Sequence, residues 1–417
     1  MATPESADRR RAIRFIVLLG FVSLFADMTY EGARSATGPF MLALGASAGA
    51  VGVVAGLGEL AGYAVRLGSG YMADRLRRYW LLTGIGYAIN LLAVPLLALA
   101  GRWEVAAGLI VVERIGKAIR TPSRDVMLSY ATHQVGRGFG FGLHEALDQV
   151  GAVTGPLLVA GALFAGEGYA RGFAVLLIPA LLALGTLAAA RVIFPAPAQF
   201  ERAPGEAPGP TSESAPRAGQ ESVRPEAKLP ATFWLYVAFS VLSVAGFAHF
   251  QLISYHLKAH GLMADAVIPV AFAVAMGVDA LTALAAGRLY DRSGMASLLS
   301  APLLTIPAVV LAFGPSAATA WTGVLLWGAA MGVQETIMRA AIADLAPAAV
   351  RGAAYGVFNT AFGVAWFAGS AAMGFLYDLS PAYLIGFALL LELASIFPLA
   401  AMQRQAAARA RDRARGT

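Results

Sequence analysis

The chain contains no cysteine, which excludes a disulfide framework, a thiolate metal site and a cysteine nucleophile. Charge is also scarce. Asp, Glu, Lys and Arg make up 13% of the 417 residues, against roughly 25% in soluble proteins, so a soluble surface of this size cannot be built. No Gly-x-x-x-x-Gly-Lys-Ser/Thr loop occurs and no Ser/His/Asp arrangement stands out in a polar segment, which argues against direct ATP drive and against an enzyme. No cofactor is expected. Apolar residues, by contrast, are plentiful. They account for 58% of the chain, the mean hydropathy is +0.66, and apolar runs of about 20 residues, enough to cross the bilayer as helix, recur along the chain. The protein reads as a polytopic membrane protein in contact with lipid. A pI near 9.6 and a net charge of +6 would suit nucleic acid, but the excess is mostly Arg in short loops and tails. It reads as a topology signal, and no nucleic-acid partner is expected.

Apolar windows between charged or Pro/Gly breaks predict twelve helices, starting near Phe15, Ala50, Leu81, Val105, Gly138, Gly172, Thr232, Val267, Ser297, Thr319, Gly352 and Ala382. Arg9 to Arg14 precede an apolar stretch that lacks a small-residue cleavage site, so the first helix is expected to stay. Basic residues sort unevenly among the loops. Arg102, Arg171 and Lys258 follow odd-numbered spans, whereas the N-terminal tail, Arg75, Arg77, Arg78, Arg124, Arg137, Arg288, Arg292, Arg339, Arg351 and the tail from Arg404 fall on the other side. That bias predicts a multi-pass protein of the bacterial or archaeal cytoplasmic (inner) membrane with both termini cytoplasmic. The stretch 195–230, rich in Pro, Gly, Ser, Glu and Arg, reads as a disordered cytoplasmic linker. It divides a bundle of six helices at 1–194 from a second at 231–403, with 404–417 as a basic cytoplasmic tail.

The two halves share landmarks. Gly70-Tyr-Met-Ala-Asp74-Arg75 after the second span reappears 217 residues later as Gly287-Arg-Leu-Tyr-Asp291-Arg292-Ser-Gly294 after the eighth. Arg124 followed by Arg137-Gly138 reappears as Arg339 followed by Arg351-Gly352. A repeated Gly-x-x-x-Asp-Arg-x-Gly loop in a six-plus-six arrangement with a long central loop resembles the major facilitator superfamily, over the whole chain except linker and tails. The resemblance implies an all-α integral membrane protein of twelve transmembrane helices in two pseudo-symmetric six-helix bundles, the major facilitator fold. In the first copy the later Gly is replaced by Arg77. Physically, each Asp-Arg pair can form a charge-assisted clasp that breaks when the cavity changes side; ordinary topology-setting charge is the plainer alternative.

The fifth span carries Gly142, Gly151 and Gly155-Pro156, which is similar to the antiporter motif of the proton-coupled drug and metabolite exporters in that superfamily, although Val159-Ala160-Gly161 stands where two adjacent glycines usually end it. Glycines so spaced permit close helix approach, and Pro permits a bend. Helix packing with no bearing on transport direction is the alternative.

Ionisable groups at mid-span cost roughly 2.5–3.5 kcal/mol each on insertion scales, so they normally line a cavity or pair. In the first span Asp27, Glu31 and Arg34, with Tyr30 beside them, share one helical face. In the fourth, Glu113, Lys117 and Arg120 repeat the spacing, and Arg114, nearest mid-span, resembles the Arg that superfamily exporters use in proton coupling. The fifth adds His144, Glu145 and Asp148. Asp148 or Glu145 is the first choice of proton carrier, with Asp27 and Glu31 next. A fixed ion-pair network is the bland alternative. In the second half His249, Gln251, Tyr255 and His256 occupy the seventh span, Asp279 lies mid-span in the eighth, and Glu335 lies in the tenth. Two histidines seven apart on one helix face without a third ligand do not make a metal site, and none is expected. The basic residues Arg34, Arg66, Arg114, Lys117 and Arg120 gather in the first half and suggest a basic cavity suited to an anionic or zwitterionic solute.

The sequence therefore predicts a secondary active transporter working by alternating access as a monomer, exporting a small organic molecule by proton antiport. A symporter importing an organic anion is the rival within the class. A sensor or assembly factor that moves no solute is the rival outside it.

Overall fold

The computed structural model describes residues 4–201, 229–346 and 350–415. Among these every regular element is a helix, as a chain that must satisfy its backbone polar groups inside hydrocarbon requires. The first half comprises α1 (Pro4–Ala43), α2 (Ala48–Leu76), α3 (Tyr79–Leu96), α4 (Trp103–Thr132), α5 (Arg137–Phe164), α6 (Gly168–Ala174) and α7 (Leu177–Ile193). The second comprises α8 (Ala231–Gly246), α9 (Phe250–Ala259), α10 (Val267–Ser293), α11 (Ser300–Ala312), α12 (Ala317–Leu345), α13 (Arg351–Leu379) and α14 (Pro381–Arg415). From α2 onward the expected starts fall within four residues of an observed helix start. Nine segments among the described residues are long and apolar enough to span a membrane. The difference from twelve has a physical source: α4 buries Glu113, Arg114 and Arg120, the apolar run of α12 is interrupted by Gln334 and Glu335, and Val267–Ala312 runs as one apolar stretch through the turn between α10 and α11.

Local chemistry sets several ends. The Ser47 hydroxyl caps α2 by accepting from the Ala50 N–H at 3.1 Å, and Ser316 with Thr319 forms a reciprocal capping box at α12. The seventh span is broken between Gly246 and Phe250, and the indole Nε1 of Trp327 donates to the freed Ala248 carbonyl at 2.9 Å.

The halves meet reciprocally. Helix α2 packs along α13, and α5 along α10, so the second and fifth spans of one half face the fifth and second of the other. A third contact joins α1 to α9. Within the first half α1 lies against α5, and here two motif glycines are required: a Cβ at Gly151 would sit 2.2 Å from the Leu24 carbonyl oxygen, and one at Gly155 2.2 Å from that of Met28. Gly142 differs from expectation, because it faces open space and contributes no close approach.

Two further expectations are corrected. Arg124 and Arg339 are not loop residues, since they lie within α4 and α12. The stretch 195–230 is not irregular at its start: Pro197–Glu201 forms a 3-10 turn whose Phe200 packs on Phe15 and Phe194, while the Gln134 side chain donates to the Phe200 carbonyl at 2.6 Å. The rest of that linker, 202–228, lies outside the described residues. Residues from 404 continue α14 as helix to Arg415; the last two residues lie outside the described ones.

Candidate substrate cavity

The charged faces of α1 and α4 converge with α2, α5, α10 and α12 on a polar cavity of about 250 Å³, lined among others by Asp27, Tyr30, Glu31, Arg34, Lys117, Glu145, Asp148 and Asp279. A second space of about 180 Å³ shares Glu31, Arg34, Arg66, Lys117, Met331 and Glu335 with it and extends to Glu59, Tyr63, Arg114 and Trp366. Helical periodicity explains the convergence: residues at i, i+4 and i+7 fall on one face, and burying that face against other helices encloses the charges.

Most cations on this wall are already engaged. Arg34 Nη1 lies 3.5 Å from Glu31 Oε1, and Arg114 bridges Glu59 at 3.6 Å and Glu113 at 3.4 Å. Glu113 also accepts from the Asn90 amide at 2.7 Å and turns toward a small neighbouring cavity that includes Gln251. Arg120 is 1% exposed; it donates to the Tyr87 hydroxyl at 2.9 Å with its guanidinium 4.2 Å over that ring. Arg124, largely buried, donates to Ser23 Oγ at 3.1 Å and pairs with Asp125 at 2.9 Å. Lys117 differs: its ammonium stands 3.8 Å over the Tyr30 ring, and among the described residues it makes no ion pair within 4 Å.

The carboxylates are held in different ways. Tyr30 donates to Asp27 at 2.5 Å. Asp148 lies 3.3 Å from His144 Nδ1, and the other ring nitrogen is 3.2 Å from Ser23 Oγ, so Ser23 links His144 to Arg124. Asp279, 4% exposed, accepts from the Gln149 amide at 3.4 Å across the boundary between halves, while its Oδ1 has no hydrogen-bond partner among the described residues.

The sequence reading of a basic cavity needs correction. Six cations, Arg34, Arg66, Arg114, Lys117, Arg120 and Arg124, share the two spaces with eight carboxylates, Asp27, Glu31, Glu59, Asp125, Glu145, Asp148, Asp279 and Glu335. The expectation that His249 and His256 share a helix face also fails, because the break before α9 separates them. His249 stacks on Trp366 with ring centroids 4.9 Å apart, and His256 meets the Tyr377 hydroxyl at 2.9 Å. His249, Gln251 and Glu113 thus stand beside the main cavity rather than on its wall.

The two motif loops are exposed. Asp74, Arg75, Asp291 and Arg292 face solvent, Arg75 reaches the Tyr71 hydroxyl of its own helix at 3.4 Å, and Gly70 and Gly287 meet a neighbour only at ordinary contact distance. Exposed Glu145 and Glu335 and half-exposed Asp125 form the cavity's rim toward this motif face. The opposite face is closed. Asp378 at the end of α13 accepts from the Ala48 and Gly49 N–H groups at 2.9 and 2.8 Å, sealing the start of α2. Tyr255 donates to the Ala46 carbonyl at 3.2 Å, and Lys258 reaches Tyr169 of the other half at 3.3 Å. Asp378 was missed by sequence reasoning, although a signal existed: Gly374-Phe-Leu-Tyr-Asp378 repeats the Gly-x-x-x-Asp spacing of the two motif loops. Tyr87, Asn90, Gln149 and Trp366 carried no such signal.

A charged cavity between two reciprocal helical halves, shut on one face and rimmed by exposed carboxylates on the other, defines a multi-pass membrane transporter. The chain belongs to the Major Facilitator Superfamily, whose family model matches residues 17–370, and is thus a secondary transporter. It is 45% identical over 393 residues to an uncharacterized protein of Mycobacterium tuberculosis, covering 94% of this chain and 93% of that one. An uncharacterized MFS-type transporter of Methanocaldococcus jannaschii is 26% identical over 388 residues, covering 90% and 92%. Among solved structures the fold is similar to that of the nucleoside transporter NupG, with a TM-score of 0.69 at 13% identity over 94% of this chain and 98% of that one.

Proposed function

We propose that the protein exports a small charged organic solute in exchange for protons. The observation that carries the reading is the joint presence on one cavity wall of Asp27 and Asp148, each held by a polar partner, and a cation, Lys117, outside any ion pair among the described residues. A carboxylate that gains a proton when solvent leaves, and loses it when solvent returns, couples proton movement to alternating access. Asp148 is the first carrier and Asp27 the second, with Glu145, Glu31 and Arg114 tuning them. Export rests on the antiporter-like motif, of which Gly151 and Gly155 form the α1–α5 contact and Pro156 allows bending. In this reading the motif face and both termini are cytoplasmic, 195–230 ties a bundle at 1–194 to one at 231–403, and a monomer in the inner membrane suffices.

The test is proton flux in proteoliposomes under an imposed pH gradient, with solutes added one class at a time. A solute that dissipates the gradient with wild-type protein, but moves without protons in Asp148→Asn, supports the assignment. Coupling that survives in Asp148→Asn transfers the role to Asp27. No proton movement with any solute, from folded protein, rejects the proton-exchange reading.

A further inference from the structure

The geometry points to a zwitterion as substrate, its cationic end held by Asp279 on α10 and its anionic end by Lys117 on α4, so that one molecule ties the two halves together. This inference rests on the transport reading above. The first observation is Lys117. Its neighbours Arg34, Arg114 and Arg124 are paired with carboxylates and Arg120 is bound to Tyr87, whereas the Lys117 ammonium stands over Tyr30 and lines both cavity spaces. A ligand anion can therefore bind there without displacing a protein carboxylate.

The second observation is independent and comes from the other half. Asp279 is nearly fully buried, lines the cavity, and leaves Oδ1 without a hydrogen bond while a neutral amide reaches Oδ2. Glu335 of α12 shares the same wall. A buried carboxylate without a cationic neighbour among the described residues requires a cation or proton from elsewhere, and a substrate amine provides one. Met276 and Met331 line the space as well, and their flexible thioethers suit an aliphatic chain. At about 250 Å³ the cavity falls below the roughly 300–1,000 Å³ of drug-sized sites, which selects a small molecule. An anion alone would leave Asp279 unmatched when the cavity closes, and a cation alone would leave Lys117 unmatched. A molecule with both charges relieves both halves without calling on a proton.

The probes are ω-amino acids from 3-aminopropanoate to 8-aminooctanoate, with the n-alkylamine and n-alkanoate of each length as controls. Binding is read as a shift in thermal unfolding of the full chain in detergent, and transport as proton flux in proteoliposomes. One or more chain lengths of the zwitterion should bind about tenfold or more tightly than either matched control and drive proton flux. Lys117→Met should weaken the zwitterion about tenfold and leave the alkylamine unchanged, and Asp279→Asn should weaken it equally and leave the alkanoate unchanged. Should Asp279→Asn fail to fold, Asp279→Glu replaces it and should shift the preferred zwitterion to a shorter chain while leaving the alkanoate unchanged. Alkanoates or alkylamines that bind and move protons as well as the zwitterions overturn the inference and leave the transport reading intact. Zwitterion binding that neither variant changes, or absence of binding by every zwitterion, overturns it too. No proton flux with any probe or any wider solute class rejects both.

Discussion

Arg77 occupies a backbone position that side chains avoid. Its φ of 51° and ψ of 17° are left-handed, and its N–H closes α2 by donating to the Ala73 carbonyl at 2.9 Å. Gly294, at the matching place in the second repeat, has a φ of 53° and closes α10. The helix end survives the loss of glycine in another form, since Gly294 has a ψ of −134° where Arg77 has 17°, and Arg77 bears the left-handed strain. Arg77→Gly should accordingly stabilise the protein by about 0.5–1 kcal/mol, the left-handed penalty less the added freedom of the unfolded chain. Thermal unfolding in detergent checks this, and a lower midpoint would show that the Arg77 side chain contributes more than its backbone costs. At this scale the sequence was informative about residue type and spacing: Asp27, Tyr30, Glu31 and Arg34 reach one cavity because their spacing is helical. It could not show that Asn90 and Tyr87 serve Glu113 and Arg120, since those contacts join residues 23 and 33 positions apart on crossing helices.

Helix pairs divide the antiporter-like motif into parts with different work. Gly155→Ala would place a methyl group against the Met28 carbonyl and force α1 from α5, costing about 1–3 kcal/mol. Gly142→Ala meets nothing within 4 Å and should be neutral or slightly stabilising through helix propensity. Unfolding midpoints and flux measured on the two variants side by side check the division; equal losses in both would contradict it. The break in the seventh span is a second element-scale feature. Its consequence is that His249 turns to Trp366 while His256 points to Tyr377, which no periodicity argument across an unbroken helix could yield.

Across the whole molecule two sets of Gly-x-x-x-Asp residues lie on opposite faces. In this conformation Asp378 seals α2 against α13, whereas Asp74 is exposed. Asp378→Asn should weaken the closed face by about 0.5–2 kcal/mol, the worth of a carboxylate at a helix start. Asp74→Asn should act in the reverse sense, enriching the present conformation and slowing turnover while substrate binding persists. Because the chain has no native cysteine, pairs introduced across each face can carry spin labels without background. Distance distributions unchanged in Asp378→Asn would remove the latch, and unchanged in Asp74→Asn would remove the clasp. Both substitutions read the same two-state element from opposite sides.

The sequence by itself determined what depends on composition and near-neighbour spacing. Scarce charge and long apolar runs made a membrane protein, the repeated loops made two halves, and helical periodicity put the acids and bases of α1, α4 and α5 on inward faces. Tertiary structure decided what depends on contacts between distant segments: that among the described residues Arg34, Arg114 and Arg124 are paired while Lys117 is not, that Asp279 meets Gln149 across the halves, and that Asp378 closes one face. A charge in hydrocarbon must find a partner, but the partner is chosen by which helices pack together, and that choice belongs to the whole fold.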